Sequence, residues 1–275
     1  MLYRQAEHHG ERTRATDVGP SGAGAVPRWA WWNLAVTGGF LVAVSAEVAA
    51  NSGLWVWLDQ VVHNAVVAGE WRKHAVVPMA LDHIGQREPI AGLLLGIATT
   101  LSLYRRTPRP LVVSLLPLIA VNLVVGAVKI GFGRGDPSTD ETASFVGGML
   151  YPSGHTANVV LTWGLMAYLL FVYGRVRWRK SDAVAVVAGL SLVMGVVSVY
   201  RDTHWVTDIV AGWMIGAFLL QATVIADSIA MRRRRLPPLW SDRPRRTGAV
   251  VLRPGSDHVA DALHAATRVV SADQG

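Results

Sequence analysis

The sequence predicts an all-α polytopic membrane protein with six transmembrane helices and one further helix on the outer membrane surface. Two observations carry that prediction. Apolar runs of about 20 residues, long enough to cross a hydrocarbon core, recur along a 275-residue chain that is 51% hydrophobic. Short arginine-rich pieces separate these runs, and 11 tryptophans are available to mark membrane–water interfaces. The chain holds no cysteine, which excludes disulfides, thiolate nucleophiles and cysteine-ligated metals.

The elements follow in order. Residues 1–28 are polar and rich in Arg, Gly and Pro, and read as a disordered cytoplasmic tail. They lack the compact charged start of a signal peptide. The six-span membrane domain is expected over 29–235. Its first span runs from Trp29 to Ala50, and Asn51-Ser52-Gly53 ends it. Residues 54–69 alternate apolar and polar at helical spacing and include Asp59 and His63, the pattern of an amphipathic helix lying on the bilayer. Residues 74–86 hold too many polar groups to span alone. The second span is therefore set at 87–104, closed by Arg105, Arg106 and Arg109. The third covers 110–130, with Asn122 near its middle and Lys129 at its end. A glycine-rich loop leads to the fourth span, His155 to Gly174. The fifth follows at 182–200 and the sixth at 205–230. Asn122 and Asn158 are expected to join helices by hydrogen bonds. Residues 236–275 form a soluble cytoplasmic tail in which Val259, Leu263, Ala266 and Val270 make one weak helical stripe.

Charge sets the orientation. The tail arginines (Arg4, Arg12, Arg14, Arg28), the 105–109 loop, the 175–180 loop and Arg232 to Arg235 hold fifteen Lys and Arg, against six on the opposite side. Both termini are thus expected in the cytoplasm, with the polar groups that carry chemistry on the outer face. The net charge of +7 follows from these membrane-flanking clusters and from attraction to anionic lipid; no nucleic-acid partner is expected.

Three polar clusters fall at outer helix ends. In Pro152-Ser153-Gly154-His155 a helix opens immediately after a turn, so its unpaired N–H groups and positive dipole end suit an anion, above all phosphate. A plain loop with an interfacial histidine has the same spelling. Lys129 and Arg134 flank a flexible glycine-rich turn and supply charge-assisted donors; snorkelling cations are the bland alternative. His204 and Asp208, four apart at the head of the sixth span, are neighbours on one helix face. A carboxylate there holds the imidazole in one tautomer and raises the nucleophilicity of its far nitrogen, although a purely structural pair has the same spacing. Asp136, Asp140 and Glu141 gate the entrance, partner Arg134 or form a solvated loop. Glu47 either lines a lipid access groove or reaches the interface.

Taken together, the clusters resemble the type 2 phosphatidic acid phosphatase (PAP2) family, which shares its site with vanadium haloperoxidases. The family's motifs are Lys-x6-Arg-Pro, Pro-Ser-Gly-His and Ser-Arg-x5-His-x3-Asp. Lys129, Pro137, all of Pro152 to His155, His204 and Asp208 match in type and spacing, over a resemblance that spans about 55–230. Two arginines are displaced. The first-motif arginine falls on Asp136, with Arg134 two residues earlier; the third-motif Ser-Arg falls on Val197-Ser198, with Arg201 about one helical turn later.

The resemblance implies an integral-membrane phosphatase of lipid phosphates or pyrophosphates, in the class of polyprenyl pyrophosphate, phosphatidate and phosphatidylglycerol phosphate. In that scheme His204 attacks phosphorus to form a phosphohistidine, Asp208 orients it, and His155 serves as general acid and then base. Lys129, Arg134, Arg201 and the backbone N–H groups of Ser153 and Gly154 stabilise the phosphoryl oxygens. Ligand type alone admits a metal at His155, His204 and Asp208, but three adjacent cations repel one, so neither metal nor cofactor is expected. The Ala-, Val- and Arg-rich usage suggests a high-GC bacterium, and with it polyprenyl-carrier recycling for wall synthesis. Two alternatives stand beside this reading: a phosphotransferase that passes the phosphoryl group to an alcohol, and a lipid-binding membrane protein without catalysis.

Overall fold

A computed structural model describes residues 26–69, 86–139, 141–174, 176 and 179–233. The tail through residue 25, the segment 70–85, Asp140, Arg175, Arg177, Trp178 and the stripe at Val259 to Val270 lie outside the described residues. All regular structure among the described residues is helical: α1 (Arg28–Ala50), α2 (Leu54–Ala68), α3 (Arg87–Arg105), α4 (Arg109–Phe132), α5 (Gly154–Val172), α6 (Lys180–Tyr200) and α7 (Val206–Arg233), with one 3-10 turn at Pro137–Thr139.

Five of these helices, α1 and α4 to α7, are long and apolar enough to cross a membrane. The expected second span, α3, is 19 residues long and is not among them. Its last turn carries Arg105 and its first turn carries Arg87 and Glu88, which shorten its uninterrupted apolar stretch. Large apolar side chains such as Leu123, Ile130, Val184 and Val196 face outward, an arrangement suited to lipid rather than water. Trp29, Trp31 and Trp32 lie exposed at the start of α1, as an interfacial aromatic belt does.

The most extensive helix–helix contact is that of α5 with α7. Their approach depends on missing side chains. A Cβ on Gly212 would lie 2.1 Å from Thr156 Oγ1 and 2.5 Å from the Ser153 carbonyl, and one on Gly216 would lie 2.5 Å from the Ala157 carbonyl. Gly212 and Gly216 are four apart, the small-xxx-small spacing that lets membrane helices touch backbone to backbone. Leu161, Leu165 and Leu169 on α5 then fill the centre against Leu94 and Ala98 of α3 and Ile215 of α7.

α2, expected as an amphipathic surface helix, packs one polar-and-apolar stripe on the bundle and leaves most of its other residues exposed. Val56, Asp59, His63 and Val66 recur at spacings of three and four, and that stripe faces the bundle, where Val56, Asp59 and Val66 are buried. The polar member Asp59 therefore points into protein rather than water. Glu47 starts this helix: its Oε2 accepts the Trp55 N–H at 2.8 Å, satisfying one of the free donors of the first turn. Asn122 donates to the Leu118 carbonyl of its own helix at 2.7 Å instead of bridging two helices. Asn158 is buried, and its Oδ1 has no protein partner.

Candidate active site

The site forms where α7 begins. Asp208 occupies the first turn of α7, where a carboxylate is favoured by the helix dipole. Its Oδ2 reaches back to the Trp205 N–H at 3.1 Å, half of a capping box. The same oxygen lies 3.2 Å from His204 Nδ1, so the expected histidine–aspartate pair is formed. The other oxygen, Oδ1, accepts from Arg134 Nη1 at 2.7 Å.

Arg134 is the largest departure from expectation. Its guanidinium, expected to bind phosphate, is fully buried between two carboxylates: Nη1 on Asp208 and Nη2 on Asp59 Oδ2 at 2.7 Å. It also donates to Thr207 Oγ1, and its plane lies 5.5 Å from the Trp205 ring. The physical reason is the α4 C-terminus. Gly133 takes a left-handed conformation at φ +50 and closes the helix, which turns Arg134 inward toward α2 and α7 rather than along the outer rim. The acidic partners of Arg134 here are Asp59 and Asp208, while Asp136 Oδ1 accepts the Ser138 N–H at 2.8 Å.

Asp59 also caps α7. Its Oδ1 accepts the Thr207 N–H at 2.8 Å and its Oδ2 accepts the Thr207 hydroxyl at 2.7 Å. Burial pushes the Asp59 carboxyl up from its ordinary value, while the Arg134 guanidinium and the Thr207 donors pull it down. One turn along α2, His63 Nδ1 meets Asp202 Oδ1 at 2.9 Å. Asp202 holds a left-handed conformation at φ +56. Aspartate tolerates that region better than most residues, and the imidazole contact fixes it there. The Trp205 ring lies between these groups, 5.1 Å from the His63 ring, and its Nε1 donates to the Gly135 carbonyl at 3.2 Å. A small cleft lined by Asp59, His63, Pro137, Asp202 and His204 opens beside them.

The Pro-Ser-Gly-His segment arrives from the other side. Ser153 precedes α5 and is fully buried, and its N–H donates to the Asp208 carbonyl at 2.9 Å. That N–H, expected to face phosphate, is thus committed to joining the two motifs, while Ser153 Oγ is buried without a protein partner. Gly154 and His155 form the first two residues of α5, ahead of its first backbone bond, Ala157 N–H to the Ser153 carbonyl. Both are half-buried. Tyr151 anchors the segment to α1, its hydroxyl 2.7 Å from Ser45 Oγ and its ring 4.8 Å from that of Phe132. Burial pushes the Tyr151 phenol up to about 12. Lys129 is half-buried at the end of α4, its Nζ donating to the Met149 carbonyl at 2.5 Å. Arg201 caps the C-terminus of α6 and is exposed.

The structure therefore brings Arg134 and His204 onto the two carboxylate oxygens of Asp208 and ties Ser153 to its carbonyl. Lys129 meets the loop leading to Tyr151, and Arg201 sits at the rim. Sequence reasoning missed Asp59, Thr207 and the His63–Asp202 pair as members of the site. The one signal available was the shared face of Asp59 and His63 on α2.

A helical membrane bundle with a histidine–aspartate pair at one helix mouth and a Pro-Ser-Gly-His turn at the next defines the class of protein. A family model of the PAP2 superfamily matches residues 110–231, somewhat under half of the chain. Among characterised proteins the chain is similar to phosphatidylglycerophosphatase B of Bacillus subtilis (strain 168), 30% identical over 70 residues, or 25% of this chain and 34% of that one. The match thus spans about a third of that relative's length. Among solved structures it resembles the crystal structure of a transmembrane PAP2-type phosphatidylglycerolphosphate phosphatase from Bacillus subtilis. The TM-score is 0.59 at 21% identity, covering 72% of this chain and 96% of that one.

Proposed function

We propose that this chain is an integral-membrane lipid phosphate phosphatase acting through a phosphohistidine. The observation that carries the reading is the contact of His204 Nδ1 with Asp208 Oδ2, made by a carboxylate whose other oxygen is held by Arg134. With Nδ1 facing the carboxylate, Nε2 is the nucleophile, and Asp208 stabilises the charge that develops as the N–P bond forms. His155, at the opposite helix mouth, protonates the departing lipid oxygen and then activates the water that releases phosphate. Lys129, Arg201 and the first-turn N–H groups of α5 offset charge on the phosphoryl oxygens. Arg134 contributes through Asp208 instead of touching substrate.

Phosphatidylglycerol phosphate is the first substrate to test, because both similar Bacillus proteins carry that activity in their names; phosphatidate and polyprenyl pyrophosphate follow. The lysine and arginine asymmetry supports a site on the outer face, with six spans and both termini inside. The test is phosphate release by the purified full chain in detergent from each of the three lipids. Release that survives EDTA and is abolished by His204→Ala is the expected result. Equal turnover by His204→Ala and wild type, or no release from any of the three, overturns the reading. Transfer of the phosphoryl group to an added alcohol in place of free phosphate identifies a phosphotransferase.

A further inference from the structure

α2 lies outside the family-matched residues 110–231, yet it supplies the second carboxylate of the site. Asp59, Arg134 and Asp208 have side-chain exposures of 0%, so none can satisfy its charge with water. Two carboxylates share one guanidinium, one on each terminal nitrogen. That sharing fixes how Asp208 is used. A guanidinium is a planar fork that prefers to take both oxygens of a carboxylate. Here Asp59 occupies Nη2, so Arg134 holds Asp208 by Oδ1 alone and leaves Oδ2 for His204. The contact of Oδ2 with His204 is 3.2 Å, longer than the 2.7 Å contacts of the arginine, and so the one that yields if the fork turns.

We propose that Asp59 is a positioning residue for the phosphatase reaction: by occupying one arm of Arg134 it keeps Asp208 monodentate and reserves its second oxygen for His204. Without the Asp59 carboxylate, Arg134 closes on both oxygens of Asp208, and His204 loses its orienting partner. Thr207 belongs to the same device, since its hydroxyl donates to Asp59 Oδ2 while accepting from Arg134. The inference rests on the phosphatase reading above.

The test uses the full chain in detergent with the lipid that the wild type hydrolyses. Asp59→Asn is expected to lower kcat at least tenfold while KM changes less than twofold, because substrate contacts stay in place. Arg134→Met removes the fork itself. The double variant Asp59→Asn/Arg134→Met is then expected to be no less active than Arg134→Met alone, whereas two independent structural losses would multiply. If Asp59→Asn does not fold, Thr207→Val carries the test: it keeps shape, loses only the bridging hydroxyl, and is expected to lower kcat three- to tenfold at constant KM. A wild-type kcat for either folded variant, or multiplying losses in the double variant, overturns the proposal while leaving His204 chemistry standing. A wild type that hydrolyses nothing overturns both.

Discussion

Ser153 donates its main-chain N–H to the carbonyl of Asp208 at 2.9 Å. The bond runs between the two motifs that supply histidines, and it passes through backbone alone. His155 on α5 and His204 beside α7 are therefore registered by the closeness of the two helices, before any substrate arrives.

That closeness makes a prediction about glycine. Gly212→Ala places a methyl group against Thr156 Oγ1 and the Ser153 carbonyl, both nearer than any real Cβ contact. It is expected to destabilise the chain by about 1–3 kcal/mol, the usual cost of overpacking, and to lower kcat by loosening the registration. Gly189→Ala is the control, since nothing lies within 4 Å of the added carbon. Its midpoint should be unchanged or slightly higher, because alanine favours helix. Thermal unfolding of both variants in one detergent checks the contrast.

His155 is expected to act in proton transfer and not in binding. His155→Ala should lower kcat by about 10²–10⁴-fold, the range of general acid–base catalysis, with a much smaller change in KM. A phenolic substitute for the lipid leaving group needs no protonation and should recover much of the lost rate. Steady-state kinetics with the two leaving groups decides it.

At the far end of the bundle another buried carboxylate has a different role. Asp227 accepts from Arg109 Nη2 at 2.9 Å, Tyr168 at 2.8 Å and Tyr173 at 2.9 Å, tying α4 and α5 to the end of α7. Asp227→Ala strands the arginine and both phenols. It is expected to cost about 3–5 kcal/mol, as broken buried pairs do, with kcat per folded molecule unchanged. Chemical unfolding alongside active-site titration separates these two effects.

Tyr151 predicts an alkaline limit. Burial raises its phenol from 10.0 to about 12 in the folded chain. The folded state thus retains a proton that the unfolded state has lost between those values, so stability is full below pH 10 and falls as pH rises toward 12. The loss is on the order of 2–3 kcal/mol. Tyr151→Phe should make that slope shallower while lowering stability at neutral pH through loss of the Ser45 contact. Unfolding measured at intervals from pH 8 to about 12 shows the difference.

The helices were legible because lipid imposes a strong rule: long apolar runs, ended by arginines, glycines and prolines. α4 to α7 fall within a few residues of the spans read from the sequence. His204 and Asp208 were legible because both lie in one helical turn, where spacing alone predicts contact. Arg134 was not, since its partners come from α2 and α7, 75 and 74 residues away in the chain. A buried guanidinium and a ligand-binding one have the same spelling; only the neighbours distinguish them. Asp59 was not legible as a site residue for the related reason that a polar residue in an amphipathic helix ordinarily marks the wet face. Here it marks the dry one, and the discrepancy could be seen only once the charge opposite it was known.

The Glu47 cap gives α1 a task beyond spanning. By holding the Trp55 N–H it fixes where α2 starts, and hence the register of Asp59 three-dimensionally against Arg134. Chimeras between relatives consequently have a preferred seam. A graft that begins at residue 110 transplants every motif residue yet leaves the donor's arginine facing a foreign α2. One that begins ahead of α1 carries cap, carboxylate and guanidinium across as a unit.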